Sequence, residues 1–463
     1  MLNTEIIDWW KPRLQHLDPW REITRDEIET LYASRPDSPS DRIIEDLLTH
    51  VSPKQYKVIF YGARGSGKTT ELTRTGAILQ DRFAVMQLDV APALEENSGS
   101  LTVLVMIGVA CLSAAHAWSA PDAAAEWPPK AGTRLAELVS HFGGYIEKLG
   151  GSADALGGWI SSVGATLTLI DPATGAAAVA TGVGVKTAAG LARESSQKLT
   201  RLSEIGRGPL GGRIPKEKME DAKAFVEVIN GILDELEEAA GRPPLLLVDG
   251  FDRLATIDEV WTALANAELF RGLDVPLVFS GPIQVRHHEQ FGGLPGRFRP
   301  EILHNLAVVK RTASGGVERG AGVDVLLRAY KLRAQQLELS DDLFSDELLE
   351  VAGRYSSGIA RDFFQLLDGA ARSAMRRKNH TIDMDDMKES IRKKRHILQL
   401  ALNEERYRLL INVLDKELPS AGADSESLLF ENYIACYPNG DLWYRPHEIL
   451  VSYLENLRGR DGA

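Results

Sequence analysis

The chain has 463 residues, 44% of them hydrophobic and 25% charged, which suits several domains around a large core. Only two cysteines, Cys111 and Cys436, are present, which argues against a disulfide framework and a structural zinc site and for a reducing compartment. A net charge of −12 argues against a whole-molecule electrostatic grip on nucleic acid and leaves only a local basic face for that role.

Residues 1–50 read as an N-terminal helical and linker segment. It shows no basic stretch followed by an apolar core, so no leader is visible and a cytoplasmic location is expected. Trp9, Trp10, Leu14, Leu17 and Trp20 form an apolar set expected to dock on the α/β core that follows.

The apolar run Tyr56 to Tyr61 predicts a strand. It leads into Gly62-Ala63-Arg64-Gly65-Ser66-Gly67-Lys68-Thr69, a complete G-x-x-x-x-G-K-T loop, and a helix-compatible run from Thr70 follows. Glycines let the backbone curl so that several N–H groups face one phosphate chain, and the helix N-terminus adds partial positive charge. Lys68 can reach the β- and γ-phosphates of a nucleoside triphosphate, and the Thr69 hydroxyl can ligate Mg²⁺. Phe83 to Val90 predicts the second strand.

Residues 93–225 read as an insertion, because 180 residues separate Thr69 from the next motif acid, Asp249. That is several times what one β–α–β crossover needs. Its middle, 157–192, is rich in Ala, Gly, Thr and Val and is interrupted by Asp171-Pro172. Each half falls short of the ~20 apolar residues of a membrane span. A small-residue packing surface or mobile loop is preferred to a membrane-active helical hairpin. Lys186, Lys198 and Arg201, with the glycines from Gly206 to Gly212, suggest a flexible basic exit.

Leu245-Leu246-Leu247-Val248-Asp249 reads as a buried parallel strand ending in an acid beside the phosphate loop, where Asp249 would hold Mg²⁺ through water. In the next residues, Gly250-Phe251-Asp252-Arg253, Asp252 either orients the attacking water or caps a helix. Arg253 either reaches a neighbouring subunit's phosphate or pairs with Asp252. A strand over 275–280 places Ser280 at its carboxyl end, as a γ-phosphate sensor or a plain turn serine. The loop 292–299 carries Arg297 and Arg299, candidate arginine fingers or partner contacts.

Residues 321–398 read as a helical lid. Arg361 falls in the first turn of one lid helix, where a cation is disfavoured unless an anion is near; otherwise it would pair with Asp362 or Asp368. Arg376-Arg377-Lys378 and Arg392-Lys393-Lys394-Arg395 are strongly basic, but interspersed Asp383, Asp385, Asp386 and Glu389 make a solvated face the better reading. Residues 399–463 give two helices and a hairpin turning at Asn439-Gly440.

These pieces, in this order, resemble the AAA+ and STAND group of P-loop ATPases. Leu245 to Arg253 looks most like the STAND (NACHT-like) form, in which a small residue and then a second acid follow the strand's acid. Gly250 stands where classical AAA+ proteins carry Glu, which implies slow hydrolysis with Asp252 as substitute. Ser357-Gly358-Ile359-Ala360-Arg361-Asp362 is similar to the second sensor of initiator-type lids, which implies that Arg361 touches the γ-phosphate. Tyr32 to Pro36 resembles the linker that lies against adenine, which brings Arg35 and Pro36 to the nucleotide. The C-terminal order resembles a winged-helix domain.

The expected architecture is therefore an α/β P-loop core (51–92 and 226–320) with a parallel sheet, a large, mainly helical insertion, a helical lid and a winged-helix-like module. The expected cofactors are ATP and Mg²⁺. Gly62 to Thr69, Thr70, Arg35 and Pro36 would bind nucleotide, and Thr69 and Asp249 the metal. Asp252, Lys68, Arg361 and Ser280 would carry the chemistry. The expected function is an ATP-binding, slowly hydrolysing switch that controls assembly with further copies or a protein effector. The resemblance implies prokaryotic regulation or phage defence. A DNA-acting initiator or loader, and a membrane effector acting through 157–192, are the alternatives; nucleic acid and membrane are not the favoured partners.

Overall fold

The computed structural model describes residues 4–36, 38–91, 99–119, 138, 141, 144, 167–170, 177–179, 214, 219–254, 256–264, 266–288, 291, 298–312, 314, 316–336, 343–420, 422–439 and 441–461. Arg297, residues 157–166, 171–176 and 180–192, and the expected basic exit with Lys186, Lys198 and Arg201 lie outside them.

The strands of the main sheet are β1 (Lys57–Gly62), β2 (Ala84–Asp89), β3 (Leu167–Ile170), β4 (Ala177–Val179), β5 (Pro244–Asp249), β6 (Leu277–Pro282) and β7 (Arg299–Leu303). Their spatial order is β4-β3-β2-β5-β6-β1-β7. The five strands from β2 to β7 run parallel, while β3 and β4 add antiparallel at the β2 edge. Every residue of β1, β5 and β6 is buried, which is why these runs are continuously apolar rather than alternating.

β6 lies between β1 and β5. Val248 pairs with Phe279, and Phe60 with Ser280. Asp249 and Ser280 therefore lie at one level, at the carboxyl ends of their strands, beside the loop that leaves β1.

Two parts of the expected insertion belong to the core. The helix Ser100–Ser119 is buried along all of residues 101–115, packed with the helix Met219–Ala240 in the main hydrophobic cluster. A helix apolar on every face belongs inside. Residues 167–170 and 177–179, in the stretch weighed as a helical hairpin, are strands. Among the described residues no helix is long and apolar enough to cross a membrane.

The N-terminal segment splits in two. Pro39–Thr49 packs Ile43, Ile44 and Leu47 on the sheet face with Val58 and Phe60. Thr4–His16 instead docks on the lid, which corrects the expected docking on the core. Ile6, Trp10 and Leu17 share a buried cluster with Phe363, Phe364 and Leu367, and Trp10 Nε1 donates to Asn379 O at 3.0 Å.

The lid comprises Gly322–Gln336, Asp346–Tyr355, Ala360–Arg376 and Met384–Leu400. Ser345 and Asp383 cap two of these helices through side-chain oxygens. A small antiparallel pair, β8 (Val309–Arg311) and β9 (Val317–Arg319), precedes them. The C-terminal module has helices Glu404–Lys416 and Ala423–Phe430, the hairpin β10 (Ile434–Asn439) and β11 (Asp441–Pro446), and the helix Glu448–Asp461. Asn439 faces Asp441 across the hairpin.

Candidate functional site

The loop between β1 and the helix Lys68–Leu79 turns on Gly65 (φ +75°) and Gly67 (φ +100°), a left-handed backbone that glycine adopts without a Cβ penalty. Gly65 is doubly constrained: a Cβ there would stand 2.7 Å from the Cβ of Arg361. Lys68 is only 4% exposed. Its Nζ donates to Gly62 O (3.1 Å) and Ala63 O (3.0 Å) and pairs with Asp252 Oδ2 at 2.7 Å. Burial alone would raise the Asp252 carboxyl; the Lys68 ammonium, with Arg64 and Arg253, outweighs it and holds the group below the usual carboxylate range.

Asp249 gathers three donors. The Thr69 hydroxyl donates to Oδ2 at 2.5 Å, and Gly250 N donates to Oδ1 at 2.9 Å. The Ser280 hydroxyl donates to the same Oδ1. Asp89 ends β2 directly beside Asp249 in the sheet register. Burial raises the Asp89 carboxyl, and Asp249 and Glu22 add to this against Arg253 and the Ala91 N–H. Gly250 has φ +104°, and a Cβ there would lie 2.5 Å from Asp89 Oδ1 and 2.7 Å from Ala91 N. Any side chain larger than glycine's hydrogen would therefore collide at this position.

Several expected pairings are corrected. Asp252 does not cap a helix: it sits inside the short turn Phe251–Arg253, whose cap is Gly250. Arg253 pairs with Asp89 (3.0 Å) and Glu22 (3.5 Å) rather than with Asp252. Arg361 pairs with neither expected acid, since Asp362 is held by Lys394 (3.0 Å) and His447 (3.1 Å), and Asp368 by Arg372 (2.7 Å). Arg299 stands next to Val58 at the amino end of β1, away from the phosphate loop, and pairs with Asp46 (2.5 Å) and Glu301 (3.2 Å).

Arg361 reaches the loop through its backbone, N to Gly65 O at 3.3 Å, and its guanidinium lies over the Trp20 ring at 4.3 Å. Arg64 donates from Nε to Asp252 O at 2.7 Å and lies over the Phe430 ring at 3.8 Å. Asn432 Nδ2 donates to Arg64 O at 2.9 Å, so the C-terminal module touches the loop. Arg35 donates from Nη1 to Ser66 O (3.4 Å) and from Nη2 to His304 O (2.5 Å), while Pro36 is exposed. Thr70 is half-buried in the first helical turn. Buried Glu71 anchors the linker by accepting from Tyr32 (3.0 Å), Ser38 (2.6 Å) and Ser40 (2.5 Å).

Motif spacing thus locates the loop, Asp249 and Ser280. It missed Asp89, Trp20, Glu22, Glu71 and Asn432, which come from distant segments. Only the acidic end of the second strand offered a signal, for Asp89.

The residues fit a Mg²⁺-bound nucleoside triphosphate. The Ser66 hydroxyl and Arg361 Nε are buried and have no hydrogen-bond partner among the described residues. One hydroxyl and one carboxylate, hard oxygen donors, converge between Thr69 and Asp249. Among the described residues no group of three or more His, Cys, Asp or Glu stands ready for a metal, and Mg²⁺ shared with phosphates needs none.

No protein-family model matches the chain, and no curated protein matches it. Among solved structures it is similar to Cdc6p from Pyrobaculum aerophilum (12% identity, 96% of this chain and 98% of that one, TM-score 0.36). It is also similar to the Aeropyrum pernix ORC2 protein in ADPNP–ADP complexes (12%, 92% and 94%, TM-score 0.38). The Aeropyrum pernix ORC1 protein in complex with DNA matches at 10% identity over 94% and 96%, TM-score 0.35. At such scores the architecture rests on this chain's own sheet order and loop geometry. The chain is an α/β P-loop protein with a helical lid and a helix–helix–hairpin C-terminal module.

Proposed function

We propose that this protein is an AAA+/STAND-type switch that binds Mg²⁺-ATP between the α/β core and the lid and hydrolyses it slowly. The observation that carries the reading is the convergence of Thr69 and Ser280 on the Asp249 carboxylate at the mouth of a phosphate loop. Thr69 and Asp249 would hold Mg²⁺, which when bound neutralises charge on the phosphate oxygens. Lys68 now pairs with Asp252 and can exchange that carboxylate for a phosphate oxygen, which frees Asp252 to orient a water. Ser280 and Arg361 would read the terminal phosphate from the core and the lid. Nucleotide state would bias the lid against the core and hence assembly with further copies or with a protein effector of a prokaryotic regulatory or defence system.

Two measurements test this. Lys68→Ala is expected to abolish ATP binding by calorimetry; unchanged affinity would remove the site. Light scattering after size-exclusion chromatography, without nucleotide, with ADP and with a non-hydrolysable ATP analogue, is expected to show a larger species only with the analogue.

One observation favours a second reading, lid contact with nucleic acid. A groove of about 440 Å³ in the lid is lined by Arg372, Arg376, Lys393 and Lys394, of which Arg372, Lys393 and Lys394 pair with Asp368, Glu389 and Asp362. Duplex binding that falls steeply with salt would support it, and absent or salt-insensitive binding would discard it.

A further inference from the structure

Trp20 is a large aromatic left 65% exposed in the stretch between Thr4–His16 and the turn Arg25–Glu27. Among the described residues its close ring contact is the Arg361 guanidinium at 4.3 Å. The stretch is fastened to the lid, the body that carries Arg361. Arg333, nearly buried in the helix Gly322–Gln336, donates to Asp18 O and Arg21 O, both at 3.2 Å. Arg21 Nη2 donates to Gln336 Oε1 at 2.7 Å, and Trp20 N donates to Asp18 Oδ1 at 2.9 Å. Trp20 and Arg361 are thus carried by one body.

We infer that Trp20 is a positioning residue for Arg361, holding its guanidinium flat at the mouth of the phosphate loop so that its donors face a terminal phosphate. The inference rests on the nucleotide-switch reading above. The physics is specific. A ring face attracts the cation without using any of its N–H donors. Arg361 has no ion-pair partner among the described residues and its Nε has no acceptor there, so the ring orients it while leaving it able to bind an anion. A carboxylate in the ring's place would compete with phosphate for the same donors. The acids whose charge Arg361 feels are engaged elsewhere, Asp252 by Lys68, Asp362 by Lys394 and His447, and Glu22 by Arg253.

The test compares affinities for a non-hydrolysable ATP analogue and for ADP, each with Mg²⁺, in the full chain and in Trp20→Ala, Trp20→Phe, Arg361→Ala and the Trp20→Ala/Arg361→Ala double variant. Trp20→Ala is expected to lower the analogue-to-ADP affinity ratio about fivefold, the size of an exposed cation–π contact. Trp20→Phe is expected to restore most of that ratio, since a phenyl face still attracts the cation. The double variant is expected to match Arg361→Ala, because Trp20 acts only through that side chain. The thermal midpoint is expected to stay unchanged in Trp20→Ala. If Arg361→Ala lowers the ratio and Trp20→Ala does not, or if the double variant falls below Arg361→Ala, the positioning role is overturned. If Arg361→Ala itself leaves the ratio unchanged, Arg361 does not read the terminal phosphate, and that reading falls first.

Discussion

Gly250 and Asp252 show how single positions constrain the surroundings of the loop. Gly250 holds φ +104° with Asp89 and Ala91 packed where a side chain would begin. Rebuilding the familiar acid pair with Gly250→Glu is therefore expected to harm the protein rather than speed it. Strain and the clash together are expected to cost about 2–4 kcal/mol, read from urea unfolding. A Gly250→Glu variant as stable as the parent, with faster turnover, would contradict the packing argument. Asp252 is charged at neutral pH because Lys68 outweighs its burial. Asp252→Asn keeps its size and loses its basicity. It is expected to bind ATP within a few-fold of the parent while turnover drops about a hundredfold, the usual contribution of a general base. Equal losses of binding and turnover would assign Asp252 to holding Lys68 alone.

At the scale of elements, the N-terminal helix belongs to the lid because its apolar stripe matches the lid's. His16 ends this helix, buried against the Tyr330 ring, and neither ring nitrogen has a hydrogen-bond partner among the described residues. Burial, then the charges of Arg333 and Arg21, lowers its pKa from 6.5 to about 4. The unfolded chain takes up a proton on this ring at a higher pH than the folded one. Stability from the neutral ring is therefore whole above pH 6.5 and lost as pH falls toward 4. The full loss is about 3 kcal/mol by linkage. Protection factors of Thr4–His16 and its lid contacts, corrected for intrinsic exchange, are expected to fall as pH drops from 6.5 to 4.5, and His16→Phe to flatten that dependence. Protection that is equally pH-dependent in His16→Phe would exclude the ring as its source.

Across the whole molecule, the end of the lid beside Gly65 is joined to the C-terminal module through polar groups. Asp362, the neighbour of Arg361, accepts from His447 at the start of the last helix and from Lys394 of the lid. Ile449 N donates to His447 Nδ1, which leaves Nε2 as the donor to Asp362. Burial opposes the charged carboxylate, but His447 and Lys394 hold it below the usual range. Its contribution is present above the ordinary carboxylate pKa and fades as pH falls through the lowered one. Asp362→Ala takes the acceptor from buried His447 Nε2 and leaves half-buried Lys394 with Gln365 Oε1, and is expected to destabilise the protein by about 1–3 kcal/mol. It is also expected to loosen the C-terminal module from the lid in limited proteolysis. Parent-like stability and an uncut module would show that the joint lies elsewhere, for instance at Ser357 Oγ, which accepts from Glu448 N at 2.7 Å.

Local sequence determined what depends on neighbours in the chain. The G-x-x-x-x-G-K-T spacing dictates a loop with left-handed glycines, and the apolar runs before it and before Asp249 dictate strands buried on both faces. A lid helix opening after the turn at Gly358 and a hairpin near Asn439 follow from turn chemistry. Only the tertiary structure decided which strands stand side by side, and hence that Ser280 shares Asp249 with Thr69. It also decided that the all-apolar helix at 100–119 is core, that Trp10 packs on the lid, that Asp89 requires glycine at 250, and that Trp20 meets Arg361. Those pairs are separated by up to several hundred residues. Periodicity and motif spacing report the face a side chain presents, while its partner is chosen by packing between elements that sequence order leaves far apart.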